Sequence, residues 1–121
     1  MRLYALRGAT SVTVNDRNAI LAATDELMRA ILARNALAAE DLVSCIFTLT
    51  EDLDAEFPAV AAREMGLSAV PLLCTREVPV PGSLPRIIRV LIHCYGEEGH
   101  EAQHVYLGEA AALRLDITGA Q

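Results

Sequence analysis

The sequence predicts an α+β fold, one sheet with helices on one of its faces. Three observations carry this. "LVSCIFTLT" (42–50) and "RIIRVLIHCY" (86–95) read as strands. Two stretches have helical spacing or helical punctuation. The order is strand, helix, strand, helix and then strands, which fits one layer of helices packed on one sheet.

Residues 2–7 alternate enough for a first strand, and "GAT" (8–10) then predicts a bend or bulge. Asn15 or Asp16 caps a helix in which Ile20, Leu27, Met28 and Ile31 share one face. The strand over 42–50 sets Val43, Cys45, Phe47 and Leu49 on one side, with Ser44, Ile46, Thr48 and Thr50 on the other. "FPAVAAREMG" (57–66) has a proline at a first helical position and a glycine at its stop, so it reads as a short helix. "AVPLLC" (69–74) predicts a third strand. Pro79, Pro81, Gly82 and Pro85 exclude regular structure from the loop 76–85 and limit its movement. The longest strand, 86–95, follows, then a polar connection over 97–103. "HVYL" opens a last extended piece, and "GEAAALR" (108–114) adds a turn of helix or strand. Two helices cover one face only. The other face, rich in Val, Ile and Leu, is expected to be buried against copies of the chain.

At 121 residues the chain is expected to be one domain spanning 1–121. A domain of this size gains from covering further apolar surface by assembly. Hydrophobic residues make up 53% and aromatics 4%, so the core must be built from Ala, Val, Ile and Leu. No apolar run approaches the roughly 18–20 residues that span a bilayer, and "MRLYALRGATSV" lacks the pattern of a secretion signal. The expected location is the cytoplasm. Cys45, Cys74 and Cys94 are odd in number and widely spaced, which suits reduced thiols better than a disulfide framework or a zinc ribbon. The net charge of −6 argues against nucleic acid as a partner. All ten basic residues other than histidine are arginine, a planar fork suited to carboxylates. If so acidic a chain binds an anion, particular arginines must overcome the background charge locally.

Three constellations could carry chemistry. "HEAQH" (100–104) has the spacing of a zinc-peptidase helix. Its flank "YGEEG" is loop-like, however, and a strand begins at His104, so the two imidazoles need not share a helix face. Two solvated loop histidines are the expectation. Cys74 with His93 or His104 as base would make a nucleophile only if the imidazole lay within hydrogen-bond reach; a cysteine is more commonly a buried small hydrophobe. The third set is Arg7, Arg63, Glu77, Arg89 and Tyr106, each near the edge of an element. Each alone has an ordinary reading: Arg7 a solvated strand end, Arg63 a helix-surface charge, Glu77 a partner of Arg76, Arg89 a solvent-facing residue. Yet Arg89 lies between Ile88 and Val90, where an unpaired guanidinium would be costly to bury.

These residues sit within "LRGAT" (6–10), "FPAVAARE" (57–64), "VPLLCTREVPVPGSLPRIIRV" (70–90) and "HVYLGEAAALR" (104–114). In order and spacing these segments resemble the monofunctional, homotrimeric chorismate mutases of the Bacillus type, the non-helical class, nearly end to end. The resemblance implies a mixed sheet with two helices on one side, three such sheets packed into a pseudo-α/β-barrel, and active sites at the subunit interfaces. It implies chorismate as substrate and prephenate as product, in phenylalanine and tyrosine synthesis, with no cofactor and no metal. Position by position, it sets Arg89 on the ether oxygen and a neighbouring carboxylate. Arg7 takes a substrate carboxylate, with Tyr106 donating to the same group, and Glu77 orients the ring hydroxyl. Cys74 hydrogen-bonds near that hydroxyl as a thiol. Phe57, Ala59 and Leu113 form apolar walls, and Arg63 stands at the mouth. Two positions depart from the family pattern. Val60 replaces a frequent basic residue, and Leu73, a substrate-contact position, replaces a frequent hydroxyl residue. Both departures bear on affinity rather than on the reaction. Two rival readings are a non-catalytic trimer that binds a small carboxylate and a zinc hydrolase built on "HEAQH".

Overall fold

The structure, a computed structural model, describes residues 1–113. Strand β1 (Arg2–Ser11) leads into helix α1 (Arg17–Arg34). A short 3-10 turn (Ala39–Asp41) precedes β2 (Leu42–Leu49), then helix α2 (Pro58–Glu64), β3 (Leu72–Arg76) and β4 (Ile87–Gly96). A two-residue strand β5 (Val105–Tyr106) and a 3-10 turn over Gly108–Ala112 complete the described chain. The sheet order is β3-β2-β4-β1-β5. β4 runs antiparallel to both β1 and β2, whereas β2–β3 and β1–β5 are parallel pairs, so the sheet is mixed.

Both helices lie on one face. Leu27, Met28 and Ile31 of α1 and Ala59 and Ala62 of α2 pack with Leu6, Cys45, Phe47, Val90 and Ile92 of the sheet in one buried cluster. Of the two cap candidates Asp16 takes the role, its carboxylate accepting from the Ala19 N–H. Pro58 opens α2, and Gly66 follows it with φ +102°, a left-handed conformation that glycine adopts without steric cost. Among the described residues no helix is long and apolar enough to cross a membrane.

Three local expectations are corrected. "GAT" does not bend the chain: β1 continues through Ser11, paired to β4 residue by residue. Gly8 serves packing instead, since a Cβ there would lie 2.5 Å from Ile31 Cδ1 and 3.2 Å from Leu27 Cδ1. Its absence lets α1 settle close to the sheet. In β2, a register shift between Leu42 and Ser44 turns Leu42 inward and leaves Val43 exposed, while Cys45, Phe47 and Leu49 face the core as expected. β3 spans 72–76, not 69–74. Pro71 has no N–H to donate, but its carbonyl accepts from the Cys45 N–H, and the ladder proper starts one residue later.

The face away from the helices is covered at one end only. There Ala9, Ile87 and Ala110 pack with Leu84, Tyr106 and Leu113. Elsewhere on that face Leu3, Leu73 and Tyr95 remain 50%, 59% and 47% exposed, a run of large apolar side chains without cover in a single protomer. Arg114 and the tail after it lie outside the described residues.

Candidate active site

The covered end of the open face holds a cleft of about 1040 Å³. Arg89 stands at its centre. In β4 it sits opposite Ala9 of β1 and Thr48 of β2, and strand alternation points it away from the helices, opposite to Ile88 and Val90. Glu77 directly follows β3, with its N–H bonded to Leu49 O at 2.9 Å. Its Oε2 accepts a hydrogen bond from the Thr48 hydroxyl and lies 3.0 Å from Arg89 Nε. The Nε–H is not directed at that oxygen, so this buried nitrogen is charge-paired without a hydrogen bond. The side chain as a whole is 38% exposed, so a ligand in the cleft would meet the guanidinium through its outer nitrogens rather than through this buried one.

Arg7, Arg76 and Tyr106 also line the cleft, with Leu113 as an apolar contributor. Three arginines against one glutamate make this cleft locally cationic in a chain of net charge −6. The backbone of Arg7 is held by His104, whose Nδ1 accepts its N–H at 3.0 Å. Burial, then the nearby Arg7 charge, pushes the His104 pKa below its usual value, and the neutral ring suits this acceptor role. Tyr106 reaches the site because β5 lies beside β1, opposite Ala9.

The proline-rich loop over 77–86 is fastened at both ends. Arg76 Nη1 donates to the carbonyls of Thr50 (2.9 Å) and Leu53 (2.7 Å) rather than pairing with Glu77, which overturns that ordinary reading of the two neighbours. At the other end the Asp52 carboxylate accepts from the Arg86 N–H, and Arg86 Nε donates to Val12 O at 3.1 Å. Among the polar residues that line the cleft, Thr48, Arg76 and Ser83 escaped the sequence reading as site members. Thr48 was assigned to the outward side of its strand, but only the β2–β4 register reveals that it faces Arg89.

The other residues singled out from sequence do not line this cleft. Phe57 is the N-cap residue of α2 and is 63% exposed. Ala59 is buried in the core cluster between helices and sheet, and Val60 is half-buried. Cys74 pairs with Phe47 in the ladder and packs on the helix side of the sheet. Burial raises its thiol pKa even though the Ala59 N–H and Arg63 act in the opposite sense. Leu73 projects to the open face opposite Ile46. Arg63 lies close enough to Cys74 and Glu56 to act on both electrostatically. One protomer thus presents two groups, an arginine-lined cleft and a separate cluster around the start of α2 and β3.

The nucleophile and zinc geometries are not assembled. His93 Nδ1 is 3.2 Å from Ser44 Oγ in the middle of the sheet, and His104 lies near the edge opposite Cys74, so neither imidazole meets the thiol. His100 and His104 also diverge: His100 Nε2 contacts Asn35 Oδ1 at 3.1 Å and its ring meets Tyr4 edge-on, while His104 serves Arg7. The expectation of two merely solvated histidines is corrected, because each makes a specific contact that fixes the 97–104 connection.

Comparison with known proteins gives concordant results. The family model for chorismate mutase type I matches residues 3–117. The chain is 49% identical over 118 residues to chorismate mutase AroH of Thermus thermophilus, covering 96% of this chain and 97% of that protein. It is 36% identical over 120 residues to chorismate mutase AroH of Bacillus subtilis, covering 98% and 94%. Among solved structures, a chorismate mutase from Clostridium thermocellum superposes with a TM-score of 0.87 at 44% identity, covering 90% of this chain and 98% of that one.

Proposed function

The chain belongs to the type I chorismate mutase family, and we propose that Arg89, Glu77 and Arg7 carry its reaction in the cleft of one protomer while Phe57, Ala59, Arg63, Leu73 and Cys74 of a neighbour close over it. As a chorismate mutase it converts chorismate to prephenate on the route to aromatic amino acids. We class it as an isomerase: within one molecule a C–O bond breaks as a C–C bond forms, with no proton transferred and no covalent bond to the protein. Its task is to hold the compact reactive conformer and to meet the charge that grows on the ether oxygen.

The observation that carries this assignment is the Arg89 side chain. Its guanidinium is held against Glu77 through the buried Nε and is 38% exposed in an arginine-lined cleft. Directed at the ether oxygen, a donor fixed on a central strand needs little reorganisation. Arg7 then receives a carboxylate with Tyr106, and Glu77 accepts from the ring hydroxyl while countering the cationic side of the transition state. Cys74, held as a thiol by its burial, donates near that hydroxyl. Leu113 and the neighbour's Phe57 and Ala59 exclude water. Val60 offers no charge at the mouth, so capture of the dianion falls to Arg63.

We infer a homotrimer of single-domain chains, because this division of labour requires residues of two protomers at each site. The two residue groups lie apart in one protomer, and Leu3, Leu73 and Tyr95 need cover. Three unpaired thiols suit a reducing cytoplasm. The decisive experiment follows chorismate's ultraviolet absorbance with purified protein and with Arg89→Ala, each sized by sedimentation. The variant is expected to remain trimeric and to lose about 3 kcal/mol or more of transition-state stabilisation, roughly a hundredfold in rate. Near-normal turnover by a folded Arg89→Ala trimer would refute the mechanism.

A further inference from the structure

The connection between β2 and α2 is tied down by polar contacts that no packing requirement explains. Asn15 Oδ1 accepts from the backbone N–H groups of Asp54 and Ala55, both at 3.1 Å, and Asn15 Nδ2 donates to Asp54 Oδ1 at 2.7 Å. At the first residue of α1, Arg17 Nε donates to Glu56 Oε2 at 2.9 Å. The other oxygen of that carboxylate, Oε1, accepts the Phe57 N–H at 2.8 Å. Glu56 is the sheltered partner, with its side chain 19% exposed against 55% for Arg17. The residue anchored through all this is a phenylalanine left largely uncovered, 63% exposed, in its own protomer.

We propose that the Arg17–Glu56 pair is a positioning device for the substrate mouth: it fixes Phe57 and sets how much of Arg63's charge is free to meet an incoming dianion. The inference rests on Phe57 and Arg63 facing substrate, as assigned above. Glu56 is ionised at neutral pH, its pKa lowered first by the Phe57 N–H and further by Arg17 and Arg63. The carboxylate is therefore in contact with one guanidinium, Arg17, and within electrostatic reach of a second, Arg63. Arg17 holds one oxygen and neutralises part of the charge, which limits the pull on Arg63. Removing Arg17 leaves Arg63 as the remaining counter-charge and withdraws it from the mouth. Removing the Glu56 charge does the reverse. The two members of one ion pair thus have opposite effects on substrate capture, which a purely structural pair would not.

The test measures kcat and KM for chorismate with Arg17→Ala, Arg17→Lys, Glu56→Gln and Arg63→Ala trimers, at low salt and at about 1 M salt, where charges are screened beyond roughly 3 Å. Glu56→Gln keeps an oxygen for the Phe57 N–H. Arg17→Ala is expected to raise KM roughly two- to fivefold, the size of a partly exposed charge effect, and Glu56→Gln to lower it by a comparable factor. In both, kcat should hold, the difference should shrink at high salt, and Arg17→Lys should restore most of the wild-type KM. If Arg63→Ala raises KM but the Arg17 and Glu56 variants move it in the same direction, or lower kcat instead, this inference fails while the site assignment stands. If Arg63→Ala leaves KM unchanged, Arg63 is not at the mouth and both fail.

Discussion

Replacing Thr48 by valine isolates a residue that touches neither the core nor, in the proposed mechanism, the reacting atoms. The side chain keeps nearly the same volume, and the strand keeps a β-branched residue. What disappears is the hydroxyl that donates to Glu77 Oε2, the oxygen that also lies 3.0 Å from Arg89 Nε. With that hydroxyl present, the carboxylate is oriented from the β2 side, and the Arg89 Nε–H is left undirected. Without it, Glu77 is free to turn and accept a full hydrogen bond from Arg89, drawing the guanidinium away from its proposed place at the ether oxygen. A hydrogen bond to a charged group is worth about 1.5–3 kcal/mol. Arg89 is 38% exposed, and solvent screening favours the lower end. About 1.5 kcal/mol corresponds to a loss of roughly tenfold in kcat/KM. Initial rates of chorismate loss, with a thermal melt for each variant, provide the assay. Thr48→Ser, which restores the hydroxyl, should recover most of the activity, and the melting temperatures should differ little. Wild-type kcat/KM in Thr48→Val, or equal impairment in Thr48→Ser, would refute the reasoning.

Three further outcomes are expected. Asn35→Ala should destabilise the fold by about 2–3 kcal/mol, because the buried amide bonds Ile31 O and both backbone groups of Gln103; a melting temperature within about 2 °C of wild type would contradict this. Stability should fall with acid as His104 titrates. Its folded-state pKa lies below the usual 6.5, so the unfolded chain takes up the proton first; stability is complete above that value and is lost as pH drops through the folded pKa. Urea midpoints across pH 7 to 5, compared with His104→Gln, would reveal this slope, and identical slopes in the two proteins would remove His104 as its source. Cys45, whose thiol burial and the adjacent Cys94 push up to about 12, should resist iodoacetamide at pH 8 in the native protein and react on unfolding; peptide mass mapping that finds native Cys45 alkylated would contradict its placement.

What could be read from sequence was whatever depends on neighbours along the chain. Alternation separated the inward and outward faces of β2 from Cys45 onward, and Pro58 and Gly66 marked α2, because those signals arise from local backbone constraints. The failures share a different cause. "GAT" looks like a bend only while α1 is absent; Gly8 is small because Ile31 comes close from 23 positions away in the chain. The inward turn of Leu42 and the late start of β3 are set by pairing with β4 and by Pro71, which a strand read alone does not register.

The same division runs through the site. Arg89 was conspicuous because a cation inside an apolar strand violates the local pattern, and a residue that breaks the local rule is where function is expected to be found. Thr48 broke no rule. A threonine on the outward side of a strand is ordinary, and its importance comes from a ladder that brings it opposite Arg89 and within reach of Glu77, 29 positions later. Arg17 and Glu56 are likewise ordinary surface charges until a contact spanning 39 positions joins them. Sequence therefore points to the groups that a reaction would use directly, through the penalty they incur. The groups that hold those in place incur none, and they become visible only when strand register and helix docking bring distant residues together. Oriented donors need both kinds of residue, since a cation that can reach the ether oxygen can also collapse onto its own counter-charge. In the proposed mechanism, one hydroxyl on the adjacent strand decides between the two.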